Sequence, residues 1–243
     1  MYNLILVLVA IAAGSIASVA GFGIGSLLTP LLALKVDTKL AVALVSVPHL
    51  IGTFIRFFML RKNIDKNVLL HFGILSAIGG LIGALLNTSF QSLALTIIFG
   101  IILIFAGFTG ATSLNEKFHF GNKTAWVAGA LSGLLGGLVG NQGGIRSAAL
   151  LGFKINPAAF VATATAIGVV VDGARMPVYF IAEGSQILEQ THFLFLASAG
   201  VIGGTFLGMF VLKRLPDKVF KRTVAGLILV LGIFMFIKGL GVI

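Results

Sequence analysis

The chain has 243 residues, 58% of them hydrophobic and only 10% charged, with a mean hydropathy of +1.12; soluble domains are roughly half apolar and a quarter charged, so this composition belongs in a bilayer. The formal net charge of +10 arises from 17 Lys and Arg against 7 Asp and Glu, and most basic residues fall in short loops between apolar runs, a pattern that orients membrane helices rather than one that binds nucleic acid. The absence of cysteine excludes disulfides, thiolate chemistry and cysteine metal sites.

Leu4 to Ala20 comes first, and no Lys or Arg precedes it as a secretory signal would require, so it is read as a retained helix. Full spans, which need about 20 residues, are predicted for Leu40 to Leu60, Val68 to Leu86, Leu93 to Thr112, Ala158 to Ile181, Phe193 to Leu212 and Thr223 to Ile237. Two pairs remain: Leu4 to Ala20 with Ser26 to Leu34, and Thr124 to Val139 with Ile145 to Phe153. The second arm of each pair reaches only about 14 Å at 1.5 Å per residue, half of the hydrocarbon thickness. Each pair is therefore a hairpin that re-enters its own side or a broken helix that crosses once.

Charge decides between these, because cytoplasmic loops collect Lys and Arg. With hairpins, one face receives eleven basic residues, among them Arg61, Lys62, Lys66, Lys117 and Lys213, and the other only Lys35, Lys39 and Lys238. With single crossings the division is eight to six, which is no bias. The hairpin reading places both termini outside, together with an acidic loop holding Glu183 and Glu189. It describes a multi-pass protein of the cell membrane.

Each half is then a hairpin plus three spans, and the odd number of reversals makes the halves inverted repeats. The expected organisation is a first repeat over 1–112, a cytoplasmic linker over 113–123 and a second repeat over 124–243, within one all-α polytopic membrane domain. Matches 119 positions apart support the duplication: Gly14 with Gly133, Gly21 with Gly140, Gly25 with Gly144, Lys35 with Lys154 and Arg56 with Arg175. After a five-residue insertion, Gly79-Gly80 corresponds to Gly203-Gly204. Patches such as Gly79-Gly80-x-x-Gly83 suit packing within one subunit or between two, so a homodimer is one open outcome.

The hairpin tips carry the chemistry. They read Gly21-Phe22-Gly23-Ile24-Gly25-Ser26 and Gly140-Asn141-Gln142-Gly143-Gly144-Ile145-Arg146. A helix that begins inside a membrane exposes unpaired amides and the positive end of its dipole, which together favour an anion. Gly23, Gly25, Gly143 and Gly144 let an anion approach main-chain donors, unless these glycines serve only helix packing. Asn141 and Gln142 add amide donors, and Arg146 adds a permanent forked charge. Arg146 is the first candidate for an anion ligand; the competing role is to tie down the first-half loop through its carbonyls.

Other intramembrane ionisable residues are candidates for gating or proton coupling: Asp172 and Arg175, three apart on one helical face and equally able to form a structural pair, and His49, which could carry a proton or be a satisfied core histidine. Arg56, near its span's cytoplasmic end, is expected to anchor at the interface. His71, near a helix start, and His192, in a loop beside Glu189, have no companions at metal-ligand spacing. No carboxylate cluster or nucleotide motif is present, so no cofactor or metal is expected and ATP drive is not indicated.

At the two glycine-rich breaks the chain resembles the TauE/SafE family of sulfite exporters and toluene-sulfonate uptake permeases. The resemblance covers essentially the whole chain, through Gly21-Phe22-Gly23-Ile24-Gly25 followed by Thr29-Pro30, and through the run from Gly133 to Gly144. It departs from the family pattern where Ile24 interrupts the first run and Ile145-Arg146 follows the second. The resemblance implies a secondary carrier for sulfite, an organosulfonate or a related small anion. A passive anion channel and a small-carboxylate carrier are the alternatives, and a membrane-embedded enzyme using His49 or Asp172 as base is the remote one.

Overall fold

The computed structural model describes residues 1–90, 92–112, 122–140, 143, 146, 150, 153, 155, 157–211, 226, 229, 230 and 232–241. Among these residues every regular element is helical. The helices are α1 (Tyr2–Ala20), α2 (Ile24–Leu32), α3 (Thr38–Leu60), α4 (Lys66–Ser89), α5 (Ser92–Thr112), α6 (Asn122–Val139), α7 (Pro157–Glu189) and α8 (Thr191–Val211). Five of the helical segments are long and apolar enough to cross a membrane. With the family assignment reached below, the chain is a polytopic all-α membrane protein.

The expected spans reappear with two differences. α4 opens with one α turn, Lys66–Val68, and a π-helical turn, Leu69–Gly73, before continuing as an α-helix over Ile74–Ser89. α7 runs to Glu189, about 50 Å in all, so Glu183 and Glu189 stand on its last turns and not in a loop. The apolar run ends at Ile181, but the backbone pairs its own hydrogen bonds in a helix whether lipid or water surrounds it. His192 likewise belongs to the first turn of α8, where its Nε2 lies 3.0 Å from Asn3 Nδ2. The expected span Thr223 to Ile237 lies largely outside the described residues, although 232–239 are helical.

α1 and α2 form a hairpin. The Tyr2 hydroxyl donates to Leu31 O at 2.9 Å, and Lys35 Nζ lies 5.3 Å from the centre of the Tyr2 ring. A broken helix continuing in one direction would separate Tyr2 from Leu31 by the length of both arms, about 40 Å or more. The same end of the molecule gathers Lys39, whose ammonium donates to Thr88 O at 2.9 Å, and Lys238, which donates to Ala33 O. A shallow pocket lined by Asp37, Thr38, Leu93, Thr96 and Lys238 also opens there, away from the buried charges described below.

Helix packing rests on small residues, as expected where lipid is as apolar as Leu and close approach supplies the attraction. α1 and α8 run parallel, with Gly200, Gly204 and Gly208 of α8 against Val7, Ile11 and Ser15 of α1. α4 and α6 repeat the arrangement, with Gly129, Gly133 and Gly137 of α6 against Phe72, Ser76 and Gly80 of α4. Gly79, Gly80 and Gly83 therefore pack inside the subunit. Ser15 donates to Gly204 O at 2.9 Å in the first pair and Ser76 to Gly129 O at 2.8 Å in the second.

α3 and α7 cross antiparallel through the middle of the bundle. Asp65 N–H donates to Thr163 Oγ1 at 2.9 Å near one end, and His49 meets Asp172 at the crossing. This crossing positions the site.

Candidate functional site

The two breaks touch. Gly21 and Gly140 both close the preceding helix in the left-handed region, at φ 75° and φ 74°, and each donates its N–H to the carbonyl four residues back at 3.0 Å, Ala17 and Gly136 respectively. That region costs an L-residue with a Cβ but not glycine, so glycine allows the chain to turn sharply here. Gly23 caps α2 at φ 136°. A Cβ at Gly25, in the first turn of α2, would overlap Gly140 O, and a Cβ at Gly143 would overlap the Phe22 side chain. The tips are thus in backbone contact, with the first amides of α2 lacking partners within their own helix.

Four ionised groups and a histidine converge behind the tips. Arg56, Arg146 and Arg175 are only 2%, 1% and 1% exposed, and Asp172 is fully buried. Asp172 Oδ1 accepts from Arg175 Nε at 3.0 Å and pairs with Nη2 at 2.8 Å. Its other oxygen, Oδ2, lies 2.6 Å from His49 Nδ1 and 3.2 Å from the Thr53 hydroxyl. Arg175 also donates to Gly136 O, and the Tyr179 hydroxyl donates to Gly137 O, so α7 is fastened to the end of α6 just before the second break.

Arg146 and Arg56 are not so satisfied. Arg146 Nη2 donates to Gly21 O at 3.1 Å, but its Nε and Nη1 have no partner, nor do Nε and Nη1 of Arg56. Arg146 Nη1 lies 3.3 Å from where a Cβ would stand at Gly168 of α7, and Arg56 Nη1 lies 3.5 Å from the corresponding point at Gly52. Glycine at these positions leaves the guanidinium groups room. The Arg146 charge acts on Arg56, and Asp172 acts on both. Three guanidinium groups against one carboxylate leave the cluster two positive charges in excess, without any proton on His49.

A buried guanidinium with two unmet N–H groups is expensive, because the lost hydration is not returned by protein partners. Two such groups within one charged cluster offer donors suited to an oxyanion, whose several lone pairs match forked donors. Thr29 Oγ1 and Thr165 Oγ1 are also buried without a partner. Among the described residues no group of three His, Cys, Asp or Glu could hold a metal ion.

Of the residues singled out from sequence, the structure brings Gly23, Gly25, Gly143, Arg146, His49, Asp172 and Arg175 into this one region, while Asn141, Gln142 and Gly144 lie outside the described residues. Of the two roles considered for Arg146, the tie to the first break is seen in the bond from Nη2 to Gly21 O, while Nε and Nη1 remain unmet. The interfacial role expected of Arg56 does not hold. Helical side chains lean toward the N-terminus, and Arg56 lies back over Gly52, one turn deeper in the bundle, rather than reaching out to the membrane surface. Its match with Arg175 at the repeat spacing was the available signal. His71 is exposed on the π turn, its Nδ1 2.8 Å from Asn67 O, and takes no part.

A family model described as "Sulfite exporter TauE/SafE" matches residues 6–235. No curated protein and no solved structure matches the chain.

Proposed function

The chain belongs to the TauE/SafE sulfite exporter family, a family of membrane transporters and not of enzymes, and from that premise we propose that it is a secondary carrier of a small sulfur oxyanion or organosulfonate. The observation that carries this reading is the pair of buried guanidinium groups, Arg56 and Arg146, each with two N–H donors unmet. In the proposed site the anion bridges these donors and the first amides of α2, with Gly23 and Gly25 leaving the main chain accessible. Asn141, Gln142, Gly143 and Gly144 supply the corresponding donors from the second tip.

The proposed mechanism is alternating access, one inverted repeat rocking against the other around a site at their meeting point. Support comes from the matching left-handed caps at Gly21 and Gly140 and from the paired packing of α1 on α8 and α4 on α6. Enclosure of all three arginines favours a carrier over a passive channel, whose open pore would leave the ligand groups wetted. A small carboxylate remains the competing cargo, because a guanidinium fork accepts either oxyanion.

The test is thermal stabilisation of the purified protein by sulfite, sulfate, thiosulfate, isethionate, sulfoacetate and carboxylates, since a ligand stabilises the state it binds. Sulfur anions should raise the Tm of the wild type and not that of Arg146→Gln. A carboxylate outranking every sulfur anion would overturn the cargo assignment, and stabilisation that survives intact in both Arg146→Gln and Arg146→Lys would overturn the site.

A further inference from the structure

We infer that the His49–Asp172 pair is a proton site coupled to the anion site, so that the carrier moves a proton with each anion; this rests on the anion reading above. The ring and carboxylate are 2.6 Å apart between Nδ1 and Oδ2, and the carboxylate's other oxygen is held by Arg175. An ionised carboxylate only accepts, so Nδ1 carries the hydrogen, and in the neutral ring Nε2 is the free base. His49 keeps 6% of its side-chain surface open while Asp172 keeps none. A proton therefore enters and leaves through Nε2, and Asp172 stabilises the imidazolium through Nδ1 without itself meeting water.

Every charged group that faces His49 bears on this. Asp172 and Arg175 come from α7 and Arg56 from its own helix, while Arg146, from the second break, acts on Arg56 and Asp172. Tyr179, further along α7, is committed to Gly137 O. α2 has no titratable side chain, and the one histidine of α8, His192, sits at its far end against Asn3. Without an anion, Arg175 and Arg56 both oppose protonation of the ring and Asp172 alone favours it. An anion on Arg56 and Arg146 cancels that field and leaves Asp172 as the dominant neighbour. Anion binding thus raises the ring's proton affinity, and by reciprocity the imidazolium tightens the anion. Filled and neutralised together, both ligands leave together on the opposite side.

The experiment uses purified protein in proteoliposomes containing an internal pH dye, with thiosulfate and isethionate as probes. Both are fully ionised near neutrality and carry no proton of their own. An inward anion gradient should acidify the lumen by about one proton per anion transported, and His49→Gln should move no protons per anion at whatever rate it retains. Anion transport without proton movement in the wild type, or an unchanged ratio in His49→Gln, overturns the coupling while leaving the anion site standing. Failure of any anion to be transported overturns both. A second measurement needs only the wild type: thiosulfate binding, followed by thermal stabilisation, should tighten by up to about tenfold per pH unit on acidification through the range in which the imidazole takes up its proton. Affinity that is flat with pH sinks the proposal.

Discussion

Thr53 and Asp172, 119 positions apart in the chain, touch: the threonine hydroxyl oxygen lies 3.2 Å from the carboxylate Oδ2 at the crossing of α3 and α7. The spacing equals that between Gly21 and Gly140, and between Arg56 and Arg175. Under the proposed duplication, a residue can touch its own counterpart only where the axis relating the halves passes. The axis then runs through this crossing, and the charged cluster sits on it. On that proposal the duplicated position has diverged, with a hydroxyl in one half and a carboxylate in the other, which would make an otherwise paired site chemically one-sided.

Arg56 should behave as a ligand and not as an anchor. Arg56→Gln is expected to weaken anion binding by about tenfold or more, the scale of one or two charge-assisted hydrogen bonds. The same variant should keep or raise the Tm of the anion-free protein, because it removes a buried charge whose Nε and Nη1 have no hydrogen-bond partner there. Thermal melts with and without thiosulfate measure both quantities, and an anion shift equal to that of the wild type would contradict the assignment.

Asp172 and Arg175 form a pair whose partners depend on one another. Asp172→Asn alone leaves Arg175 buried and uncompensated, at a cost of about 3–5 kcal/mol, whereas Asp172→Asn with Arg175→Gln should recover a large part of that loss. A double-mutant cycle in stability reads the coupling directly. Additive losses would mean that the pair is not the unit that its geometry describes.

The two faces of one glycine pair should respond oppositely. A Cβ at Gly204 would overlap the backbone of Ile11, whereas a Cβ at Gly203 would meet nothing within 4 Å. Gly204→Ala should destabilise by about 1–3 kcal/mol through overpacking of α8 on α1, and Gly203→Ala should be neutral or slightly stabilising. Equal Tm values for these neighbouring variants would refute parallel packing at this register.

Substitution at the tips separates backbone strain from overlap. Around Gly21 and Gly140 the nearest atoms to a new Cβ stand at 3.4 Å, so alanine there meets mainly the left-handed backbone, at about 1–2 kcal/mol. Gly25→Ala has no such strain but drives into Gly140 O, so it should disturb the tip contact and weaken anion binding as well as stability. Anion-induced stabilisation that is unaltered in Gly25→Ala would remove the first tip from the site.

The spans were legible because a bilayer demands about 20 apolar residues from each crossing helix and punishes exceptions. Leu40 to Leu60 becomes Thr38–Leu60, and Phe193 to Leu212 becomes Thr191–Val211. The α1–α2 hairpin was legible through the distribution of Lys and Arg, which acts on loops and needs no knowledge of packing. The end of α7 was not, since the apolar run stops at the membrane boundary whereas a helix need not.

What the sequence by itself determined is a membrane protein with two glycine-rich breaks, a charged second tip at Arg146 and a family resemblance that the family comparison bears out. Tertiary structure alone decided that Arg56 points inward beside Arg146, and that His49 and Asp172, 123 positions apart, share a hydrogen bond. The physical reason is that spacing along one helix reports which face a residue occupies, but not which other helix that face will meet. Where α3 crosses α7 depends on close approaches such as that of Thr53 to Gly168, made by residues that carry no charge at all.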